Sequence, residues 1–379
     1  MKTTAAIVLI AGLVVAGGVL HERARRATSP PPPERADSSS VRRLLQPRLP
    51  APHLRLAPPP AEPPREDSEP THLLARLLNG GSLKLSREQI EPYLQDNRRS
   101  AGSLLAGFRI TADPTLLQEV LERYPNDPRA NLVASLGALQ STESSPEECR
   151  QRLEAFKQSA PDNALANYLS AQDYFKAGQT DQAVQELNAA SGQTKFQDYS
   201  LEFVQNAEEA FRAAGYSEAQ ARAAASLEWP QAQAVQLRSL CHNLADLASA
   251  YRQAGDEASA QATLRIGVIL GRQIAEQPPQ QYLANNMFGL SIEIAMLAGM
   301  DAARPGFDSA GPYDNGGHTV QDRLDELQQR AASQRLLQRQ AQDLLQGLSE
   351  QEVISFCDRM NTLGEVEALQ WALNRRGNR

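Results

Sequence analysis

The side chains best suited to chemistry are scattered along this sequence. Its five histidines are His21, His53, His72, His242 and His318. None stands in an HExxH, HxH or Cys–His pattern, the spacings that bring two ligands to one ion. Cys241 and His242 are adjacent, but successive residues of a helix point about 100° apart and do not converge on one tight site. The three cysteines, Cys149, Cys241 and Cys357, form no CxxC pair. They read as small buried helix residues, not as a disulfide framework. GxSxG, GxxxxGK[ST] and GxGxxG are absent from the sequence. The run Asn315-Gly316-Gly317-His318 lacks the preceding strand and following lysine of a phosphate loop and reads as a turn. The adjacent acids Glu147-Glu148 and Glu208-Glu209 read as solvated helix faces, not as a catalytic carboxylate pair. The expectation is a protein that is not an enzyme, with no cofactor and no metal.

Composition says what kind of elements carry these residues. Ala, Leu, Gln, Arg and Glu dominate, all strong helix formers, and aromatic residues make up only 5%. A net charge of −7 argues against nucleic acid as a general partner, because neutralising phosphates takes a basic surface.

Three regions differ in character. Residues 3–20 are uncharged and mostly apolar. As a helix they rise about 27 Å, against a bilayer core of about 30 Å. They read either as an uncleaved transmembrane anchor or as a signal peptide cut after Gly17, where Val15-Ala16-Gly17 offers small residues. Arg23, Arg25 and Arg26 follow the apolar run, which by charge alone keeps the body in the cytoplasm. The layout of Met-Lys followed directly by an apolar stretch is that of an export signal, and the expected location is membrane-anchored with an extracytoplasmic body. Residues 21–70 hold thirteen of the 24 prolines. They read as a disordered, Pro-rich linker with a polyproline II bias, a spacer between membrane and body.

From residue 71 the pattern becomes helical, with 28 Lys and Arg against 38 Asp and Glu. Ser86 and Gln89 form a capping-box pair. Asp113-Pro114 opens another helix, with the aspartate as cap and the proline at the first position. The most informative signal is internal repetition. Ala171, Tyr174, Gly178, Ala183, Leu187 and Ala190 recur with identical spacing, 77 residues later, as Ala248, Tyr251, Gly255, Ala260, Leu264 and Gly267. The glycine ends a first helix, since it adopts the left-handed conformation at no steric cost. The next alanine admits a close crossing by a second helix. Phe211 and Gly215 form a weaker copy, with Gln220 in place of the crossing alanine. Pro125, Ala130 and Asn131 correspond to Pro161, Ala166 and Asn167. These residues resemble the tetratricopeptide repeat, a helix–turn–helix unit of about 34 residues. The resemblance covers about 125–275 and implies four degenerate units forming a solenoid.

The expected fold is therefore all-α. A helical cap over 71–124 precedes the repeats at 125–275, and a C-terminal helical region spans 276–379. In that last region, residues 281–300 read as a buried helix, a long helix starts near Thr319 with Val320, Leu324, Leu327 and Ala331 in a coiled-coil-like step that is then lost, and Gly364 separates the final two helices. The resemblance implies a concave groove lined by the first helix of each pair. The candidate partner-binding residues are Tyr168, Gln172, Phe175 and Lys176 in the second unit. Gln205, Glu209 and Arg212 are those of the third, and His242, Ser249 and Arg252 those of the fourth. Two functions compete. One is a membrane-tethered adaptor that binds a protein or peptide in the groove. The other is a structural cell-envelope component that bridges membrane to wall or to another complex, with no groove ligand.

Overall fold

The structure is a computed structural model. It describes residues 83–193, 195–227, 232–276, 282–301, 319–345 and 347–377. The membrane segment, the Pro-rich linker, residues 71–82 of the cap, His318 and the Asn315–His318 run lie outside the described residues. Among the described residues there are fifteen helices and no strand, so the described body is all-α. No helix among them is long and apolar enough to cross a membrane.

In chain order the helices are α1 (Arg87–Asp96), α2 (Ala101–Thr111), α3 (Pro114–Arg123), α4 (Pro128–Gln140) and α5 (Pro146–Ser159). Then come α6 (Ala164–Lys176), α7 (Thr180–Ser191), α8 (Ser200–Ala213), α9 (Glu218–Leu227) and α10 (Ala232–Gln253). The last five are α11 (Glu257–Ala275), α12 (Leu283–Ala298), α13 (Val320–Leu345), α14 (Glu350–Leu363) and α15 (Glu365–Gly377). Their starts follow the local chemistry read from the sequence. The Ser86/Gln89 capping box is formed, and Asp113 accepts from the Thr115 N–H at 2.9 Å to open α3. Gln220, the misfit in the third unit, forms a reciprocal cap with Ser217, accepting from the Ser217 N–H at 3.1 Å. It serves the start of α9 and not a helix crossing.

The three repeat glycines act alike. Gly178, Gly215 and Gly255 have φ of +70°, +92° and +80°. Each follows the end of a first helix, and in each turn the residue after the glycine donates its N–H to the carbonyl five residues back: Gln179 to Tyr174, Tyr216 to Phe211 and Asp256 to Tyr251. This is the Schellman closure that a left-handed residue permits. The small residues beside these turns are buried as the crossing requires, with Ala171 and Ala183, and Ala248 and Ala260, at 0–1% exposure.

The pairs do not stack in chain order. α6 packs on α10 and α7 on α11, so the two pairs that match at 77 residues are direct neighbours. The pair between them, α8–α9, packs instead on α1, α2 and α14. The cause lies at Asn163. It caps α6 through the Leu165 N–H at 3.2 Å and also grips the segment that leaves α7. Its amide donates to the Gln197 carbonyl at 2.8 Å and accepts from the Gln197 N–H at 2.9 Å, while the Ala164 N–H donates to the Lys195 carbonyl at 2.9 Å. The chain is thereby drawn across the head of α6. It then carries the apolar face of α8, with Phe203, Val204, Ala207 and Phe211, onto the leucines of α1 and α2.

Two cores result. One joins α1–α3, α8, α9, α14 and α15. The other joins α4–α7, α10 and α11. α12 and α13 run through both. Leu283 and Met287 belong to the first core and Leu290, Ile292 and Met296 to the second. α13 begins in the second core with Val320, Leu324, Leu327 and Ala331 and ends in the first at Leu345. The tightest seam is α11 against α12, where a Cβ on Gly289 would sit 2.5 Å from the Ala275 nitrogen and the Gly271 oxygen.

Candidate partner-binding surfaces

The inner face of α6, expected to line the groove, is taken up inside the molecule. Tyr168 is 0% exposed, and its hydroxyl donates to Gln273 Oε1 of α11 at 3.0 Å. Gln172 Oε1 accepts from Asn243 Nδ2 of α10 at 2.9 Å. Lys176 Nζ donates to Gln236 Oε1, also of α10, at 2.9 Å. Phe175 is half-buried against the second core. Tyr168, Gln172 and Lys176 therefore join one helix pair to another. Tyr168 and Gln172 have no surface to offer a ligand, because stacking α6 directly on α10 closes the space a curved array leaves open.

The remaining candidates are exposed but divided. Gln205, Glu209 and Arg212 lie on the outside of α8, and His242, Ser249 and Arg252 on the outside of α10. Those two helices belong to different cores. Arg252 is engaged, reaching Glu257 Oε2 at 3.1 Å and the Gly299 carbonyl, and so ties the α10–α11 turn to the end of α12. Glu208, read as a solvated acid, is 9% exposed and faces Arg222 Nε at 3.4 Å. Burial pushes its carboxyl up from the ordinary range. Its partner Arg222 also holds the Ile354 carbonyl at 3.2 Å and Asp358, fastening α9 to α14.

No arrangement of reacting groups emerges among the described residues. No cluster of three metal-type ligands is present among them. The three thiols are free and buried, and burial raises those of Cys241 and Cys357 to about 12, far from a reactive thiolate. Among the described residues, the most deeply buried ion pair is structural. Glu293, 1% exposed, accepts from Arg272 Nε at 2.7 Å and from Arg323 Nε at 3.1 Å, which binds α11, α12 and α13 together.

A groove with the character of a docking site lies elsewhere, between the second half of α13 and the joint of α14 with α15. It encloses about 560 Å³ and is lined by Leu336, Leu337, Leu363, Gly364 and Val366, with Gln334, Arg330 and Glu367 among its polar groups. Leu336 and Leu363 are 55% and 57% exposed. With Val235 they are the large apolar side chains that stand in solvent among the described residues, and two of the three meet here. The floor is held by an amide chain in which Gln334 Nε2 donates to Asn286 Oδ1 at 2.7 Å and Asn286 Nδ2 to the Ala275 carbonyl at 2.8 Å. The signal for this site in the sequence was the break in the α13 pattern, since Leu336 falls off the buried 4-3-4 step that ends at Ala331.

No family model, no curated protein and no solved structure matches the chain.

Proposed function

We propose that the protein is a membrane-tethered helical scaffold that holds a partner protein, and that the partner docks in the groove between α13 and the α14–α15 joint. The observation that carries this reading is the convergence of exposed Leu336 and Leu363 on one preformed groove. Isolated surface leucines are ordinary, whereas a concave apolar patch with a polar margin is where a partner gains by excluding water. The charges at the groove are one of each sign, Arg330 and Glu367. They suit an uncharged, leucine-bearing segment better than an acidic peptide or a nucleic acid. In this reading α6–α7 and α10–α11 are tetratricopeptide-like pairs turned inward as a rigid frame. The apolar run at 3–20 is the anchor, the Pro-rich linker is the spacer, and the body faces out of the cytoplasm.

A photo-crosslinking side chain placed in turn at Leu336, Leu363 and Val235 of the full-length protein in intact cells tests it. The expected result is one shared partner segment at the first two positions, mapping to an uncharged leucine-bearing stretch, and none at Val235. Identical, diffuse labelling at all three positions overturns the reading. A second reading, a bridge with no groove ligand, draws support from the filled inner face of α6. It expects function to survive Leu336→Asp and to fail when the linker is shortened.

A further inference from the structure

The groove wall is built around a buried acid. Leu363, Gly364, Val366 and Glu367 line the groove, yet the residue within that run, Glu365, is only 1% exposed. Gly364 makes this possible with φ +95° and ψ 163°, a conformation that side chains rarely adopt. Glu365 Oε2 accepts the N–H of Leu283 at 2.7 Å. Leu283 is the first residue of α12, whose N-cap Tyr282 provides no side-chain cap. The carboxyl of α15's first residue thus satisfies a donor that α12 leaves unpaired at its own start. Both helix N-termini meet at this acid.

No cation pairs with Glu365 among the described residues. The groups gathered around neighbouring Tyr282 are Glu365 itself, Asp198 ahead of α8, Cys357 of α14 and Arg109 of α2. Tyr282 and Cys357 are held neutral by burial, and α13 contributes Arg330 to the groove. Asp198 has its own partners in Ser200 and Gln233.

We infer that Glu365 is a proton-operated catch on the docking groove: with the acid neutral, the α14–α15 joint stays clamped to α12, and loss of the proton frees the joint and reshapes the groove wall. This rests on the groove being the partner site. Burial pushes the Glu365 carboxyl up from 4.5 to about 7, outweighing the Leu283 N–H, which by itself lowers it. The bound, buried form is the protonated one, so the clamp is complete below pH 4.5. It weakens as pH rises toward about 7 and is fully weakened above.

Hydrogen exchange of the full-length protein tests the catch with no partner present. After correction for intrinsic rates, opening at Leu283 and across residues 363–367 is expected to rise about 70-fold from pH 5 to pH 8, the ratio set by carboxyl values of 4.5 open and about 7 closed. Glu365→Gln should flatten that rise, and Asp198→Asn should leave it in place. A flat profile in the unaltered protein, or a rise that persists in Glu365→Gln, overturns the catch. Neither result touches the groove reading, which stands or falls on crosslinking at fixed pH.

Discussion

Glu293 and Glu365 are buried to the same degree, 1% exposed, and the molecule uses them in opposite ways. Glu293 sits between two guanidinium groups where α11, α12 and α13 meet. Around it the backbones press together at Gly271 and Gly289. Glu365 meets a backbone N–H and, among the described residues, no cation, beside an open groove and a glycine joint. A buried charge with matched partners is a fixed fastening, because removing either partner strands the other in a medium that solvates it poorly. A buried acid without a cation remains free to trade its proton at an accessible pH. The contrast separates a rigid frame from an adjustable rim within one all-α body.

The largest effect should come from breaking the fixed fastening. Glu293→Ala leaves Arg272 buried without its carboxylate, and a loss of about 3–5 kcal/mol of unfolding free energy is expected. Urea titration showing less than about 1 kcal/mol would mean that the Arg–Glu–Arg contact is not what holds the seam.

Next comes the pH dependence of the adjustable end. The Glu365 value is raised in the folded state, so its contribution is complete below pH 4.5 and lost as pH rises through about 7. The rise amounts to roughly 3 kcal/mol at about 1.4 kcal/mol per unit. Glu365→Gln should therefore be the more stable protein at pH 8 and lose that margin toward pH 5. Thermal melts of the two proteins at pH 5, 6.5 and 8 would show it, and parallel curves would remove Glu365 from the account. Asp198, whose carboxyl burial also raises, acts with the same sign and belongs in the comparison as Asp198→Asn.

A smaller loss is expected at the close crossing. Gly289→Ala forces α11 and α12 apart, at a cost of about 2 kcal/mol, and a shifted urea midpoint with an unchanged slope would report it. The smallest effect on stability should be Leu336→Ala, within about 0.5 kcal/mol because the side chain is largely in solvent. The same variant should weaken the crosslink from Leu363, which separates a binding role from a folding one.

Much of the local structure was legible in the sequence. Ser86 with Gln89, Asp113 before Pro114 and the three turn glycines each act within a few residues, and each behaves as its chemistry dictates. The buried runs at Leu283–Leu297 and Val320–Ala331 followed helical spacing for the same reason. What stayed hidden was which helix meets which. A repeat at 77 residues reports that two units are alike, not that they touch, and nothing local marked Asn163 as the residue that turns the chain aside. The groove face on α6 was misplaced for that reason, since Tyr168 meets Gln273, 105 positions away. Glu365 was hidden by its position. An acid in the first turn of a helix is ordinarily a solvated partner of the helix dipole, and only the chain around Gly364 turns this one inward.

The interleaving of the two cores bears on how the protein comes to be folded at all. An array of stacked units can form from one end and tolerate loss of its last member, because each unit needs only its neighbours. Here the chain crosses between the two cores repeatedly and ends in the first. The ties that close it span 82 residues from Leu283 to Glu365 and 136 from Arg222 to Asp358. Such distant closures are slow to form, and the first core lacks part of its wall until α14 and α15 have been made. The emerging chain must wait with α8 and α9 unfinished, and truncation before residue 350 should leave an aggregating fragment where a simple array would leave a shorter protein.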